Sequence, residues 1–392
     1  MRRRRIAVVT GTRAEYGLLA PLMRLLKDDP AVELQLIVTG AHLSERFGMT
    51  VTLIETDGFT IDARVSLPLD GDSPLDMARA MAAGVAGIAE AIERLTPDIV
   101  VLLGDRFEIL AAAQAAFITR RILGHIHGGE ATEGALDDGF RHAITKLAHL
   151  HFVSAEPYRR RVVQMGENPE RVWIVGAPGL DAIAETKFLD RDSLDKSLRF
   201  ELGPRFLLVT YHPVTLDENA GAAELEALLA ALDAMADAKI LITGHNADAG
   251  HGRISALLDA FAAERPERVF LAASLGQQRY LSAMKFCAAV VGNSSSGLIE
   301  APALGVPTVN VGDRQKGRLR GESVIDCTGT PAAIADALNR AVSSTFQACA
   351  RTAVSPYGNP GASARMARIL KGVPLAGLAR KPFFDLAAGV TT

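Results

Sequence analysis

The sequence predicts an α/β protein built from two doubly wound, Rossmann-like domains. Short runs rich in Val, Ile and Leu alternate with longer helix-patterned segments through almost all of the 392 residues. The short runs are nearly continuous in apolar residues, which is typical of parallel strands that are covered on both faces. The alternation restarts about halfway along the chain. This restart favours two sheets over a (β/α)8 barrel, which is the competing fold.

The order of the predicted elements places the domain boundaries. In the first half, helical patterns at 16–26, 75–95, 108–119 and 140–148 separate predicted strands at 6–9, 34–38, 99–103, 122–126, 150–153 and 172–175. In the second half, strands are predicted at 206–210, 240–243, 269–271, 288–291 and 308–311, with helices at 222–235, 298–304 and 362–370. The charged stretch 190–204 lacks a strand pattern. We therefore expect domains at 1–189 and 190–355, with residues 356–392 packing back on the first domain.

Composition excludes several classes of protein. The net charge of −3 gives no basic surface for nucleic acid, and no apolar run is long enough to cross a membrane. The basic run at residues 2–5 leads directly into a predicted strand and is interpreted as a solvated flank rather than a signal peptide. Three widely spaced cysteines favour a reducing compartment. The sequence thus predicts a soluble, cytoplasmic protein with neither a nucleic-acid nor a membrane partner.

The strongest candidate binding site follows the strand predicted at 288–291. A Gly-Asn-Ser-Ser-Ser-Gly turn leads into a helix, and such a turn offers backbone N–H groups, hydroxyl donors and the positive end of a helix dipole to an anion. Glu300 is expected near the first helical turn, and Arg314 and Arg318 belong to a basic cluster that follows. The alternative is a capped turn without a ligand; the basic cluster favours a phosphate or diphosphate.

Acidic side chains follow two strands of the first half. Asp105 comes after the strand at 99–103, and Glu130 comes shortly after the strand at 122–126. Asp137 and Asp138 follow in the next segment. Carboxylates at neighbouring strand ends can perturb one another's pKa values, which suits proton transfer. The alternative for Asp105 is that it caps the next helix.

Further candidate residues lie in or near the ends of predicted strands. Arg13 follows the first strand, where it could bind a phosphate or form a surface ion pair. His212 follows the strand at 206–210 and is a candidate catalytic group. His125 and His127 alternate along one strand and are expected to share a face, so a metal site that also includes Glu130 or Asp137 is an alternative; the weakness of a lone His-x-His pair argues against it.

Together these motifs resemble the UDP-N-acetylglucosamine 2-epimerase family, and most closely its hydrolysing branch, which serves sialic and legionaminic acid synthesis. The resemblance spans about residues 6–370 and implies a glycosyltransferase-B type fold with a nucleotide sugar bound in the interdomain cleft. It also implies a homodimer or homotetramer, with neither cofactor nor metal. The motifs that carry it are TGTRAEYG (10–17), LGDRFE (103–108), HIHGGE (125–130), DDGFRHAITKLAH (137–149), GNSSSGLIE (292–300) and GDRQKGR (312–318).

The resemblance also implies roles for individual residues. On the nucleotide side, Glu300 would bind the ribose, and Arg314 or Arg318 would line the pocket. Arg13 and His212 would flank the diphosphate. The UDP phosphates would contact Ser294, Ser295, Ser296 and Gly297.

On the sugar side, the resemblance implies that Asp105, Glu130 and the pair Asp137/Asp138 are the catalytic carboxylates. Arg141 would bind the substrate. The sequence does not decide which of Asp137 and Asp138 faces the sugar, nor which carboxylate removes the proton.

The activity that the resemblance implies is elimination of UDP from UDP-N-acetylglucosamine through a 2-acetamidoglucal, followed by addition of water to give N-acetylmannosamine. One alternative is the same reaction on UDP- or GDP-linked N,N'-diacetylbacillosamine, and another is a non-hydrolysing 2-epimerase. Three others are a glycosyltransferase, a metallohydrolase and a non-catalytic nucleotide-sugar binding protein. The set of carboxylates argues against the glycosyltransferase and the binding protein.

Overall fold

A computed structural model describes residues 2–71, 73–133, 136–214, 221–244 and 251–386. The chain divides into two compact units. Unit 1 comprises Met1–Glu130, Asp137–Ala182 and Gly358–Thr392, and unit 2 comprises Ala131–Leu136 and Ile183–Tyr357. The main divisions thus fall at 182/183 and 357/358 rather than at 189/190 and 355/356, and nothing in the sequence pattern indicated that the short segment 131–136 groups with unit 2.

Unit 1 contains a parallel sheet. Among the described residues its strands are β1 (Arg4–Thr10), β2 (Val32–Thr39), β3 (Ala63–Val65), β4 (Ile99–Leu103), β5 (Ile122–Ile126), β6 (Leu150–Val153) and β7 (Val172–Ile174). They are arranged in the order β3-β2-β1-β4-β5-β6-β7. This is the strand order of a doubly wound nucleotide-binding sheet with one strand added at the end.

Unit 2 repeats this arrangement. Its described strands are β8 (Phe206–Thr210), β9 (Lys239–Thr243), β10 (Val269–Ala272), β11 (Ala289–Gly292), β12 (Thr308–Val311) and β13 (Val324–Cys327). They are parallel and follow the order β10-β9-β8-β11-β12-β13. The two doubly wound sheets confirm the predicted α/β class and exclude a single barrel.

The helices follow the strands along the chain. They are α1 (Arg13–Asp28), α2 (Val51–Thr56), α3 (Pro74–Leu95), α4 (Phe107–Ile118), α5 (Asp137–Leu147), α6 (Glu156–Gln164), α7 (Pro178–Glu185), α8 (Arg191–Leu198), α9 (Ala222–Ala234), α10 (His251–Ala263), α11 (Gly276–Phe286), α12 (Ser296–Ala303), α13 (Pro331–Val342), α14 (Ser344–Thr352) and α15 (Ala362–Gly372). None of the described helices has both the length and the apolar character needed to cross a membrane.

The sheet of unit 1 is covered on both faces. In β1, Ile6 and Val8 pack into a core that includes residues of α1 and α15. Ala7 and Val9 point to the other face and pack with residues of α3 and α4. Because side chains alternate along a strand, a strand that is apolar at every position must be covered twice. Fully buried side chains of this kind each contribute about 1.5–3 kcal/mol.

The strand order reverses at one point in each sheet. In unit 1, β1 pairs with both β2 and β4, and in unit 2, β8 pairs with both β9 and β11. In open α/β sheets, ligands bind beyond the carboxyl ends of the two strands that flank this switch point. Ligand-binding residues are therefore expected in the segments after β1, β4, β8 and β11.

The turn after β11 is held close to β8. Gly292 has φ +129°, and a Cβ at this position would lie 2.0 Å from the carbonyl oxygen of Thr210. Any side chain would therefore push β8 and β11 apart at the switch point.

Candidate functional site

Asp105 lies directly beyond β4, at the switch point of unit 1. It follows Gly104, which has φ +84°. The N-cap residue of α4 is Arg106, so the alternative interpretation of Asp105 as a helix cap is wrong. Instead, the carboxylate of Asp105 accepts a hydrogen bond from the guanidinium of Arg141, whose side chain is among the largest fully buried ones in the described residues.

The start of α5 brings a second carboxylate to the same guanidinium. Asp138 Oδ1 is 3.7 Å from Arg141 Nη1, and its Oδ2 is 3.4 Å from His142 Nε2. Asp137 is the first residue of the helix. Arg141 therefore brings together Asp105 and Asp138, which are separated in the sequence by α4, β5 and the segment that follows β5. It reduces the repulsion between them, as an opposite charge does within a few ångström.

Glu130 is buried, with 1% of its surface exposed. Its Oε1 accepts hydrogen bonds from His127 Nδ1 at 2.5 Å and from Ser154 Oγ at 3.0 Å. β5 ends at Ile126, and His127 has φ +66°. The prediction that His125 and His127 share a strand face is therefore wrong, because His127 has left the strand.

His125 uses both ring nitrogens within the protein. Nε2 is 2.8 Å from the carbonyl oxygen of Gly104, and Nδ1 is 3.1 Å from Thr145 Oγ1. Burial lowers the pKa of His125 to about 3, so the ring is neutral. Over the described residues, no group of three or more His, Cys, Asp and Glu side chains has a geometry able to hold a metal ion.

The β1–α1 turn carries Arg13 as the first residue of α1. Thr12 and Glu15 form a capping box, in which each side chain accepts a hydrogen bond from the backbone of the other. Glu15 is buried beside Glu108 of α4, and burial together with the charge of Glu108 raises the pKa of Glu15 to about 8. The sequence analysis missed this pair. The T-x-x-E spacing and a glutamate within the apolar helix α4 are the signals that could have revealed it.

At the switch point of unit 2, Asn293 links the ends of β8 and β11. The backbone N–H of His212 donates to Asn293 Oδ1 at 2.7 Å, and Asn293 Nδ2 donates to the carbonyl oxygen of His212 at 2.9 Å. Both residues are buried. Asn293 thereby fixes the backbone at the candidate catalytic residue His212, a role that sequence reasoning missed because an Asn in a turn has an ordinary explanation.

The serine run lies at the N-terminus of α12. The hydroxyls of Ser294 and Ser296 are 3.0 Å apart, and Tyr280 OH is 2.5 Å from Ser296 Oγ. Ser295 occupies the N-cap position but accepts no capping hydrogen bond through its side chain. The three side chains are partly exposed at the end of β11, where they can donate to an anion.

Two residues of α12 have local structural explanations. A Cβ on Gly297 would lie 2.7 Å from Thr308 Cγ2, so close packing on β12 explains the glycine at this position. Glu300 lies in the second turn of α12, not the first, and the helix dipole favours a carboxylate less at that distance from the helix start.

The basic cluster after β12 reaches the same turn. Arg314 Nη1 and Gln315 Nε2 donate to the carbonyl oxygen of Asn293 at 3.2 and 2.8 Å. Arg318 Nε is 3.4 Å from Thr132 Oγ1, in the short segment that groups with unit 2. The first arginine therefore lies beside the serine run.

Each unit is thus a Rossmann-like α/β unit with polar groups at its switch point, carboxylates in unit 1 and hydroxyl and cationic donors in unit 2. Residues 24–371 match the protein family described as UDP-N-acetylglucosamine 2-epimerase. The chain belongs to this family, which confirms the resemblance carried by the six motifs.

Relatives of known name cover nearly the whole chain. The chain is 40% identical to the GDP/UDP-N,N'-diacetylbacillosamine 2-epimerase (hydrolyzing) of Campylobacter jejuni, over 83% of this chain and 85% of that protein. It is 35% identical to the UDP-N,N'-diacetylbacillosamine 2-epimerase (hydrolyzing) of Legionella pneumophila, over 95% and 97%. The structure of the UDP-GlcNAc 2-epimerase from Neisseria meningitidis bound to UDP-GlcNAc matches with a TM-score of 0.79 at 17% identity, over 93% of this chain and 99% of that one, and thus has the same fold.

Proposed function

We propose that the protein is a hydrolysing 2-epimerase of a UDP-linked 2-acetamido sugar. The observation that carries the proposal is the grouping of Asp105, Asp138 and Arg141 beyond the carboxyl ends of the strands of unit 1. Binding a nucleotide sugar does not need several carboxylates, whereas moving a proton on and off carbon does. Membership of the 2-epimerase family supports the same conclusion.

The nucleotide side of the reaction is assigned to unit 2. The diphosphate would contact Ser294, Ser295, Ser296 and the start of α12 at Gly297, with Arg314 beside them. His212 and, from unit 1, Arg13 would flank it, while Glu300 would hold the ribose and Arg318 would line the pocket. These donors stabilise negative charge that grows on the diphosphate as the C1–O bond breaks, so they act on the transition state more than on the bound substrate.

The sugar side is assigned to unit 1. As the diphosphate leaves, positive charge develops at C1 and makes the C2 proton acidic enough for a carboxylate to remove. UDP and a 2-acetamidoglucal result. Water then adds its oxygen to C1. A proton is delivered to C2 on the face opposite to the one from which the first proton was removed, which inverts C2 and gives the free 2-epimer.

Asp105 and Glu130 are the first candidates for these proton transfers, since each is held in one orientation by a neighbouring side chain. Asp137 and Asp138 stand at the start of α5, and Arg141 holds Asp105 and Asp138.

The names of the relatives favour one of the candidate sugar substrates. One protein at 40% identity and one at 35% are named for N,N'-diacetylbacillosamine, and another at 35% is the polysialic acid biosynthesis protein P7 of Escherichia coli. The UDP-N-acetylglucosamine 2-epimerase of Neisseria meningitidis is 31% identical. This order favours UDP-N,N'-diacetylbacillosamine over UDP-N-acetylglucosamine, which the motifs alone placed first. A legionaminic or sialic acid pathway would consume the product. The cytoplasmic location and the homo-oligomeric state, predicted from the cysteines and the family resemblance, belong to the same proposal.

The test is a product analysis in heavy water. The purified protein is incubated in D2O with UDP-N,N'-diacetylbacillosamine, its GDP-linked form or UDP-N-acetylglucosamine, and the products are followed by NMR. We expect UDP together with a free sugar that is inverted and deuterated at C2, formed fastest from the first substrate. A nucleotide-linked 2-epimer as the product would identify a non-hydrolysing enzyme. Release of the sugar without deuterium at C2 would contradict the proton-transfer mechanism.

A further inference from the structure

Two buried glutamates at the switch point of unit 1 have no part in the proposed chemistry. Glu15 lies in the first turn of α1, which follows β1, and Glu108 lies in the first turn of α4, which follows β4. Their exposed fractions are 5% and 1%. They therefore join the two loops that carry Arg13 and Asp105.

Each carboxyl group uses one oxygen and leaves the other without a donor. Glu15 Oε2 accepts from the backbone N–H groups of Gly11 at 2.8 Å and Thr12 at 3.3 Å. Glu108 Oε1 accepts from Arg106 Nε at 2.8 Å. Glu15 Oε1 and Glu108 Oε2 are buried and have no hydrogen-bond partner among the described residues. An ionised oxygen in this position loses its hydration and gains nothing in return.

The two carboxyl groups also lie against the same glycine. The N–H of Gly11 binds Glu15, and a Cβ on Gly11 would lie 2.5 Å from Glu108 Cγ and 2.9 Å from its Oε1. A glycine is required here because Glu108 occupies the space of a side chain. Both groups are thus close enough for their charges to repel.

The surrounding charges balance only one of the two carboxylates. Arg106 is the cation paired with Glu108, at the start of α4. His42, whose backbone N–H donates to the carbonyl oxygen of Gly11, is buried, and burial lowers its pKa to about 4. It is therefore neutral near pH 7, and the second carboxylate lacks a counter-charge from these neighbours.

We propose that Glu15 and Glu108 hold a single proton between them in the folded protein, and that this pair positions the β1–α1 and β4–α4 turns. Both are positioning residues, since they act through the turns of Arg13 and Asp105. The effect on catalysis rests on the proposed function, whereas the shared proton does not.

Stability as a function of pH tests the shared proton directly. The folded protein keeps on Glu15 a proton that the unfolded chain releases above its ordinary pKa of 4.5. This contribution is fully present below pH 4.5 and is lost as pH rises to about 8, where the folded protein also ionises. The Glu15→Gln variant keeps an acceptor for Gly11 and a donor towards Glu108 but cannot ionise.

The expected result is that the stability of the wild type falls relative to that of Glu15→Gln as the pH rises. Within that window, the folding equilibrium constant of the wild type should decline relative to Glu15→Gln by up to about tenfold per pH unit. Urea unfolding at a series of pH values measures it. A difference that does not vary with pH would overturn the proton-sharing pair. If Glu15→Gln does not fold, Glu108→Gln replaces it, because removing the neighbouring charge lowers the pKa of Glu15 and should narrow the same pH window.

The rate profile tests the positioning role. With the substrate that the product analysis identifies, kcat of the wild type should fall above about pH 8, and Glu15→Gln should lack this alkaline limb. Glu167→Gln, which changes a buried carboxylate elsewhere in unit 1, is the matched control and should retain it. An identical limb in Glu15→Gln would refute the positioning role. A wild type that turns over none of the substrates would instead count against the proposed function, and the unfolding experiment would still decide whether the proton is shared.

Discussion

The two units have the same strand order but present different chemistry at their switch points. Beyond β1 and β4, unit 1 places titratable groups, among them Asp105 held by Arg141 and the buried glutamates 15 and 108. Beyond β8 and β11, unit 2 places the amide of Asn293 and the serine hydroxyls. The same backbone framework thus carries carboxylates in one unit, and amide and hydroxyl groups with Arg314 beside them in the other.

The difference in side chains follows from the role that is proposed for each switch point. A carboxylate must change its protonation state to remove a proton, so it needs charged neighbours that orient it, and Arg141 serves Asp105 and Asp138 in this way. A leaving diphosphate gains negative charge without exchanging a proton with its donors, so fixed N–H and O–H groups can bind it without any titration. Neutral donors also cost less to desolvate than ionised groups.

The largest effect is expected from changing a carboxylate of unit 1. Asp105→Asn keeps the shape and can still accept from Arg141, but it cannot take up a proton at neutral pH. We expect kcat to fall by about 10²–10⁴-fold, with the affinity for UDP unchanged, as measured by steady-state kinetics and calorimetry. Asp98→Asn is the matched control, because Asp98 lies just before β4, at the amino-terminal ends of the strands. Its carboxylate pairs with Arg2 and accepts from the backbone N–H of Arg5. Normal turnover by Asp105→Asn would remove this residue from the proton transfer.

A smaller effect, of a different kind, is expected in unit 2. Ser294→Ala removes one hydroxyl from the proposed diphosphate site and should raise the barrier by about 2–4 kcal/mol, with weaker UDP binding in the same titration. The control is Ser343→Ala, in which the lost hydroxyl caps α14 by accepting from the N–H of Phe346. It should cost about 1 kcal/mol of stability and leave UDP affinity unchanged. Equal UDP affinities for wild type and Ser294→Ala would place the diphosphate elsewhere.

The smallest effect on catalysis is expected away from both ligand edges. Glu167 accepts from His151 at 3.0 Å, Lys146 at 2.5 Å and Lys381 at 2.8 Å. Burial raises the pKa of Glu167, but these hydrogen bonds more than offset it and lower the pKa to about 2. The resulting stability is present above the ordinary pKa of 4.5 and is lost as pH falls towards 2.

Glu167→Gln should therefore lower the free energy of unfolding at pH 7 by about 1–3 kcal/mol, with kcat unchanged. The deficit should shrink in acid, as unfolding at pH 7 and pH 3 would show. Glu170→Gln, at an exposed glutamate nearby, should change neither quantity. A large loss of kcat in Glu167→Gln would show that this cluster affects the catalytic groups, and that residues away from the switch points also determine turnover.

The regular elements were largely predictable because their signals are local. The strand prediction at 99–103 coincides with β4, and the helix prediction at 362–370 lies within α15. Two strands were missed, β3 (Ala63–Val65) and β13 (Val324–Cys327), which are short and lie at the sheet edges. An edge strand needs fewer apolar residues, so its pattern is weak.

The candidate site was only partly predictable. The motifs indicated Asp105, Glu130 and the serine run, since each directly follows a strand. They did not indicate that Asp105 meets Arg141, that Glu15 lies beside Glu108, or that Asn293 bridges to His212. These contacts join residues that are 36, 93 and 81 positions apart in the sequence.

The sequence by itself determined the alternation of strands and helices, the doubling of the domain and the family, because each of these is written in local pattern or in contiguous motifs. Only the tertiary structure decided which oxygens lack donors, which carboxylates face one another and which serine fails to cap. Those properties depend on desolvation and on distances between segments remote in the chain. Burial in a folded sheet creates both, and neither exists in the extended sequence.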